Sequence, residues 1–219
     1  MDKKKNLFLE SEGDSWFQRN KDYTARDEFV QKDLIIQDVL AILKSPLAPQ
    51  GKAKVLEIGA SNGRRIEWLE KNANVETHGV EPSAAAVDDA MSRGLRMKRG
   101  TADSLDHADG TFDIVIFGFC LCMCDGDDLF RIAAEAHRVL KEDGWVIIGD
   151  FYSESTVYRD YHHVPGFSTR KMDYRKMFDW HPSYVCFSHK VVDHQRRQFI
   201  DDADEWVACS VMRRLPTKP

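Results

Sequence analysis

Several features are scarce in this chain of 219 residues, and each scarcity narrows the reading. No apolar run approaches the length that crosses a bilayer, so no membrane span is predicted. Positive charge is not in excess: 31 Lys and Arg stand against 36 Asp and Glu, a formal net charge of -5. Phosphate neutralisation needs clustered Lys and Arg, so nucleic acid is not the expected partner. Cysteine is sparse, with five residues, an odd number without framework-like spacing. That agrees with a reducing compartment. The start, Met1-Asp2-Lys3-Lys4-Lys5, is basic, but Asn6-Leu7-Phe8-Leu9 is too short for the apolar stretch of a signal peptide. The lysines read as a solvated, frayed tail, and a cytoplasmic location is expected. Repeats and low-complexity tracts are missing too.

What remains has the balance of a soluble globular protein, with 42% hydrophobic and 31% charged residues. The length fits one domain with an appended segment. Residues 1–50 read as a helical cap, with apolar residues from Tyr23 to Leu43 at helical spacing, among them Phe29, Val30, Leu34, Ile35 and Val39. Pro46, Pro49 and Gly51 break the chain before the main domain, 51–219. There strands alternate with helices. Strands are predicted at Lys54–Ala60, Glu76–Glu81, Leu95–Gly100, Phe112–Phe119 and Trp145–Phe151. Helices are predicted at Gly63–Lys71, Ser83–Arg93 (capped by Ser83) and Asp127–Lys141. Such alternation implies an α/β fold, a mostly parallel sheet covered on both faces. Residues 152–182 read as an irregular insertion on the substrate side. Tyr184–Val192 and Glu205–Arg214 then read as two consecutive strands, an antiparallel pair closing the sheet.

The most informative stretch is Val55-Leu56-Glu57-Ile58-Gly59-Ala60-Ser61-Asn62-Gly63, an apolar strand entering a small-residue turn. Gly79-Val80-Glu81-Pro82-Ser83 follows, a second strand ending in a carboxylate. Together they form the pocket in which α/β folds hold an adenosine-bearing cofactor. A dinucleotide site would want G-x-G-x-x-G, whereas Gly59 and Gly63 are four apart.

These segments resemble those of the class I S-adenosylmethionine (SAM)-dependent methyltransferases, and the resemblance runs from about residue 53 to 151. Glu57–Gly63 is similar to that family's E/D-x-G-x-G-x-G loop, and Glu81 to its acid after the second strand. Gly100-Thr101-Ala102-Asp103-Ser104-Leu105 resembles its adenine-contacting segment, and Phe112-Asp113-Ile114-Val115 the opening of its fourth strand. Arg138–Trp145 is similar to its R-x-L-K-x-G-G turn. Two positions depart: Ser61 replaces the middle glycine of the loop, and Asp143 the first glycine of the late turn. Trp16–Asn20, His162–Gly166 and Lys171–Tyr174 resemble segments of a bacterial type-11 group associated with surface-sugar and secondary-metabolite pathways.

The resemblance implies a Rossmann-like seven-stranded sheet of order 3-2-1-4-5-7-6, its last strand antiparallel, and SAM as cofactor with S-adenosylhomocysteine as product. It implies a cofactor site of Glu57, Gly59, Ala60, Ser61, Asn62, Gly63, Glu81, Pro82, Ala102, Asp103, Ser104, Gly118 and Phe119. Glu81 would accept from both ribose hydroxyls and Asp103 from the adenine amino group. Glu57 either reaches toward the methionine end or ties down the turn. Trp16 and Arg19 either fold over the cofactor as a lid or lie on an exposed helix.

Sulfonium methyl transfer needs alignment above all. A base is required only where the acceptor must lose a proton. His162 and His163 are the candidate bases, because an imidazole exchanges protons near neutral pH. Asp150 either orients the acceptor or caps its strand. Tyr161, Arg170, Lys171 and Tyr174 are candidate acceptor contacts; the cations suit an anionic group or a solvated face. The run Cys120-Leu121-Cys122-Met123-Cys124 lacks the C-x₂-C pairs of structural zinc. In an extended segment its sulfurs would share one face. They are read as apolar thiols under the active-site floor, and no metal is expected. The function expected is methyl transfer to a small molecule, at an oxygen, by a monomer or homodimer. A catalytically silent SAM-binding accessory protein and a protein or RNA methyltransferase are the alternatives.

Overall fold

Residues 3–24, 32–195 and 198–216 are described by a computed structural model. Its strands are β1 (Ala53–Ile58), β2 (Val75–Glu81), β3 (Met97–Arg99), β4 (Phe112–Gly118), β5 (Leu140–Phe151), β6 (Val157–Asp160), β7 (Ser168–Lys171), β8 (Tyr184–Asp193) and β9 (Trp206–Arg214). Seven of them form one sheet in the order β3-β2-β1-β4-β5-β9-β8. β1 to β5 pair in parallel, and β9 runs antiparallel to both β5 and β8. Counted within this sheet alone, the order is the expected 3-2-1-4-5-7-6. The labels shift because β6 and β7 form a separate hairpin. That hairpin, and a 3₁₀ turn at Tyr174–Met177, give order to a segment whose sequence looks irregular.

The central strands are apolar on both faces because helices cover both. In β4, Ile114 and Ile116 pack on one side and Val115 and Phe117 on the other, the period-two alternation of a strand. The first side is covered by the helix Leu34–Lys44 and the second by the helix Leu129–Val139. The helices are α1 (Lys3–Leu7), α2 (Gly13–Thr24), α3 (Leu34–Lys44), α4 (Arg64–Asn72), α5 (Ala84–Ser92) and α6 (Leu129–Val139). A π-helical turn, Phe8–Glu12, joins α1 to α2. α3 begins where Asp33 accepts from the backbone N–H groups of Ile35 and Ile36 at 2.8 and 3.2 Å. It buries Ile35, Ile36, Val39 and Ile42 against the sheet. Phe29 and Val30, expected in this helix, lie outside the described residues. The Ser83 hydroxyl caps α5 as expected, accepting from Ala86 N–H at 3.0 Å. Leu140 opens β5 instead of ending the preceding helix.

The lysine-rich start is not a frayed tail. Lys4 donates from its ammonium to the Ser168 carbonyl, and Lys5 pairs with Asp103 at 2.8 Å. Asp14 of α2 accepts from the Ser83 hydroxyl at 2.6 Å and the Ala85 N–H at 3.0 Å. The N-terminal helices are thereby strapped across the carboxyl ends of the parallel strands. Among the described residues, no helix is long and apolar enough to cross a membrane.

Candidate functional site

A cavity of about 590 Å³ opens at the carboxyl ends of β1, β2, β4 and β5, roofed by the N-terminal helices and the β6–β7 hairpin. Its size falls in the range of small-ligand sites. The turn after β1 forms part of its wall. Gly59 has φ of 73°, and a Cβ there would lie 2.4 Å from the Cys120 Cβ, so only glycine fits. Ser61 sits at φ of 48° and Asp143 at 61°. The two departures from the family's glycines thus both adopt the left-handed backbone that glycine adopts freely. Ser61→Gly is expected to raise stability by about 0.5–1 kcal/mol, a gain of a few degrees in Tm. Asp143→Gly should gain less, since it also loses an ion pair with Arg213 at 3.0 Å. Thermal unfolding of both variants checks this; an unchanged or lower Tm for Ser61→Gly would remove the strain argument.

Glu81 borders the cavity at the tip of β2, 9% exposed. One carboxylate oxygen accepts from Ser61 N–H at 2.8 Å and the other from Ser83 N–H at 3.0 Å. Burial pushes its pKa up to about 7, against the pull of those two N–H groups. Asp103 is held by Lys5, with Arg131 3.9 Å away. Burial raises its pKa, but the Lys5 and Thr101 hydrogen bonds outweigh that and leave it below the usual carboxylate value.

Glu57 is fully buried and ion-paired with Arg65, which also binds Asp33 through Nε at 2.9 Å. The cluster joins β1, α4 and the start of α3, and here Glu57 ties down the turn. A Cβ on Gly118 would lie 2.5 Å from its carboxylate and 2.7 Å from the guanidinium, so the end of β4 must be glycine. Ala60, Ser61, Asn62, Pro82, Ala102, Gly118 and Phe119 also border the cavity, and Trp16 reaches it from α2.

Six expected residues lie off the wall. Gly63 packs on Leu95 and Ile66 behind the turn, and Ser104 faces solvent. Arg19 lies outside the cavity, bound to Glu12 and, at 3.1 Å, to the Tyr161 hydroxyl. His163 packs edge-on against the Tyr161 ring. Tyr174 is buried in the core, its hydroxyl donating to the Arg170 carbonyl at 2.8 Å. Asp150 is buried below the floor, where it accepts from the N–H groups of Leu121, Cys122 and Phe151 at 2.8, 3.2 and 2.8 Å. It orders the loop after β4, the capping alternative. Burial raises its pKa to about 6.

Tyr161, His162, Arg170 and Lys171, on or beside the hairpin, also line the cavity. Tyr161 donates to Glu12 at 2.7 Å, clasping the hairpin to the N-terminal helices. Phe119, a bulky residue at φ of 59°, turns its ring against Phe151 and His194, at centroid distances of 5.9 and 5.8 Å. Such a backbone is costly for a large side chain and is found at functional sites. His194, in the β8–β9 loop, and Lys5 escaped the sequence reading because nothing local marks them. The cysteine run is a 3₁₀ turn, not an extended segment. Cys120, Cys122 and Cys124 donate to three separate carbonyls, of Ile58, Phe119 and Cys120. Burial raises all three thiol pKa values. Among the described residues, no three His, Cys, Asp or Glu side chains are grouped to hold a metal ion.

Residues 56–148 match a family model described as a methyltransferase domain. No curated protein matches the sequence. Among solved structures, the chain is similar to Burkholderia thailandensis 1,6-didemethyltoxoflavin-N1-methyltransferase, solved with 1,6-didemethyltoxoflavin and S-adenosylhomocysteine. Identity is 18%, coverage 92% of this chain and 87% of that one, and the TM-score 0.64. It is also similar to a chain of the complex between the Haloferax volcanii Trm112 methyltransferase activator and a methyltransferase, at 15% identity, 91% and 97% coverage and a TM-score of 0.64. A Methanosarcina mazei SAM-dependent methyltransferase matches at 15% identity, 77% and 95% coverage and a TM-score of 0.60. At such identities the likeness is one of fold, and the family model covers residues 56–148. The match of those residues to a methyltransferase domain, together with the sheet order, supports a SAM-dependent methyltransferase of the class I fold.

Proposed function

We propose that the protein transfers the SAM methyl group to an oxygen of a small-molecule acceptor. The observation that carries this reading is one roofed cavity lined both by Glu81 and Asp103 and by Tyr161 and His162. The roof, clasped by Glu12 and Tyr161, favours a small acceptor over a macromolecule. The small-molecule acceptor held by the Burkholderia enzyme supports the same class.

The residues suit the cofactor. Glu57 Oε2, Ser61 Oγ and Asn62 Oδ1 are buried polar atoms on cavity-lining residues with no hydrogen-bond partner among the described residues. Such atoms want a polar ligand. When bound, SAM supplies a methyl group already activated by its sulfonium. Glu81 would hold the ribose hydroxyls and Asp103 the adenine edge, sharing its charge with Lys5. Of the expected 1–50 cap, the N-terminal helices within residues 3–24 then serve as the lid of the cofactor end, whereas α3 packs on a face of the sheet. Phe119 and Gly118 flank the reacting centre, and the chain's task there is alignment. His162, at the rim, takes the hydroxyl proton.

His162→Ala is expected to lower turnover about 10²-fold or more while S-adenosylhomocysteine affinity stays constant. His163→Ala should change neither. Assay of SAM consumption across a panel of hydroxylated small molecules, with calorimetry of each variant, tests both. Unchanged turnover in both single variants and the double variant would leave alignment without a base. Absence of any methylated product with intact cofactor binding would favour the silent accessory protein.

A further inference from the structure

Among the described residues, four lysine and arginine side chains are buried: Arg65, Arg170, Lys171 and Arg213. Arg65 is paired with Glu57 and Asp33, and Arg213 with Asp143. Arg170 and Lys171, neighbours at the end of β7, have no carboxylate within 4.0 Å among the described residues. Both border the cavity, as does Arg65, whose charge is already met by its two carboxylates.

Arg170 is 2% exposed. One terminal nitrogen makes two long contacts, to the carbonyls of Leu121 at 3.4 Å and Cys124 at 3.3 Å. Its carbon lies 5.9 Å from the Tyr174 ring centroid. Its Nε has no hydrogen-bond partner among the described residues. Lys171 donates to the carbonyls of Ala203 and Asp204 at 3.0 and 2.7 Å. Asp204 itself is paired with Arg159, and Asp150 spends its oxygens on backbone N–H groups. A buried cation without a counter-charge is costly, and a guanidinium is shaped to grip an oxyanion through two parallel hydrogen bonds.

We propose that the methyl acceptor carries an oxyanion, a carboxylate or a phosphate, seated against Arg170. Lys171 adds positive potential to the same wall. The proposal rests on the small-molecule reading above and narrows its substrate class. It assigns the anion to the acceptor and not to the cofactor's own carboxylate, because Arg170 reaches the Leu121–Cys124 turn after β4 and, among the described residues, makes no hydrogen bond to the Gly59–Asn62 turn.

The test is titration of the full chain, saturated with S-adenosylhomocysteine, with benzoate, phenyl phosphate and benzyl alcohol. One or both anions should bind about tenfold or more tightly than the alcohol. Whichever anion is preferred identifies the headgroup. Arg170→Gln should erase the preference while S-adenosylhomocysteine affinity is kept, which also certifies the variant's fold. Equal binding of all three probes by the wild-type protein overturns the proposal. So does a preference that survives Arg170→Gln but disappears in Lys171→Met. A fall in S-adenosylhomocysteine affinity in a folded Arg170→Gln variant would instead give the arginine to the cofactor and overturn it as well. Failure of the wild-type protein to bind S-adenosylhomocysteine is a separate result, which brings down the cofactor reading.

Discussion

Glu81→Ala is expected to weaken S-adenosylhomocysteine binding by about ten- to a hundredfold, the loss of roughly 1.5–3 kcal/mol of charge-assisted hydrogen bonding. Two contributions combine. The carboxylate no longer accepts from the ribose diol, and the N–H groups of Ser61 and Ser83 lose the oxygens that fix their directions. Glu81→Gln separates the two: it keeps the shape and one acceptor, so an intermediate loss is expected. The pH dependence follows from burial. The carboxyl sits at about 7 in the free protein, above its ordinary 4.5. Cofactor affinity should therefore fall as pH drops below about 7, where Glu81 takes up a proton, and Glu81→Gln should flatten that profile. The folded state holds this proton more tightly than the unfolded chain. The contribution to stability is therefore present in full below about 4.5 and lost as pH rises through about 7. Calorimetry at pH 6, 7 and 8 reads the binding effect; a flat wild-type profile would show that the diol does not depend on this carboxylate.

Arg65→Met should cost the most stability, about 3–5 kcal/mol, because it strands two buried carboxylates at once. Glu57 and Asp33 are 0% and 4% exposed, and the guanidinium is the cation between them. For a chain of this length the loss corresponds to roughly 6–20 °C in Tm. Burial already raises the Glu57 pKa to about 7 in spite of Arg65. Without Arg65 it rises further, so the variant's deficit should shrink on acidification. Arg65→Met with Glu57→Gln should recover part of the loss, since one stranded charge is gone. A single variant that unfolds within a few degrees of wild type would mean that the cluster carries little of the stability.

The parallel half of the fold was legible because its signals are local. β1 and β4 are short apolar runs between turn residues, and the small residues at Gly59–Gly63 mark a backbone bend whatever the rest of the chain does. Even the two departures from glycine were readable as positions, since Ser61 and Asp143 keep the left-handed conformation of the residues they replace. Residues that depend on distant partners were not legible. Lys5 meets Asp103 across 98 positions and Glu12 meets Tyr161 across 149, and no pattern within either segment announces the other. The β6–β7 hairpin pairs short polar strands, which carry no apolar alternation to betray them. Asp150 illustrates the remaining limit. Its place at a strand end is visible in the sequence, but which way the side chain turns is decided by the N–H groups of the 3₁₀ turn that the cysteine run forms.

The central claim is that the bend after β1 and the acid at the end of β2 hold the two ends of one nucleoside. A crystal structure of the protein soaked with S-adenosylhomocysteine measures this directly. The account predicts both ribose hydroxyls within about 2.5–3.0 Å of the Glu81 carboxylate, the adenine edge at Asp103 and the amino-acid end against Gly59–Asn62. Density for the nucleoside elsewhere, or Glu81 turned away from the diol, would contradict it.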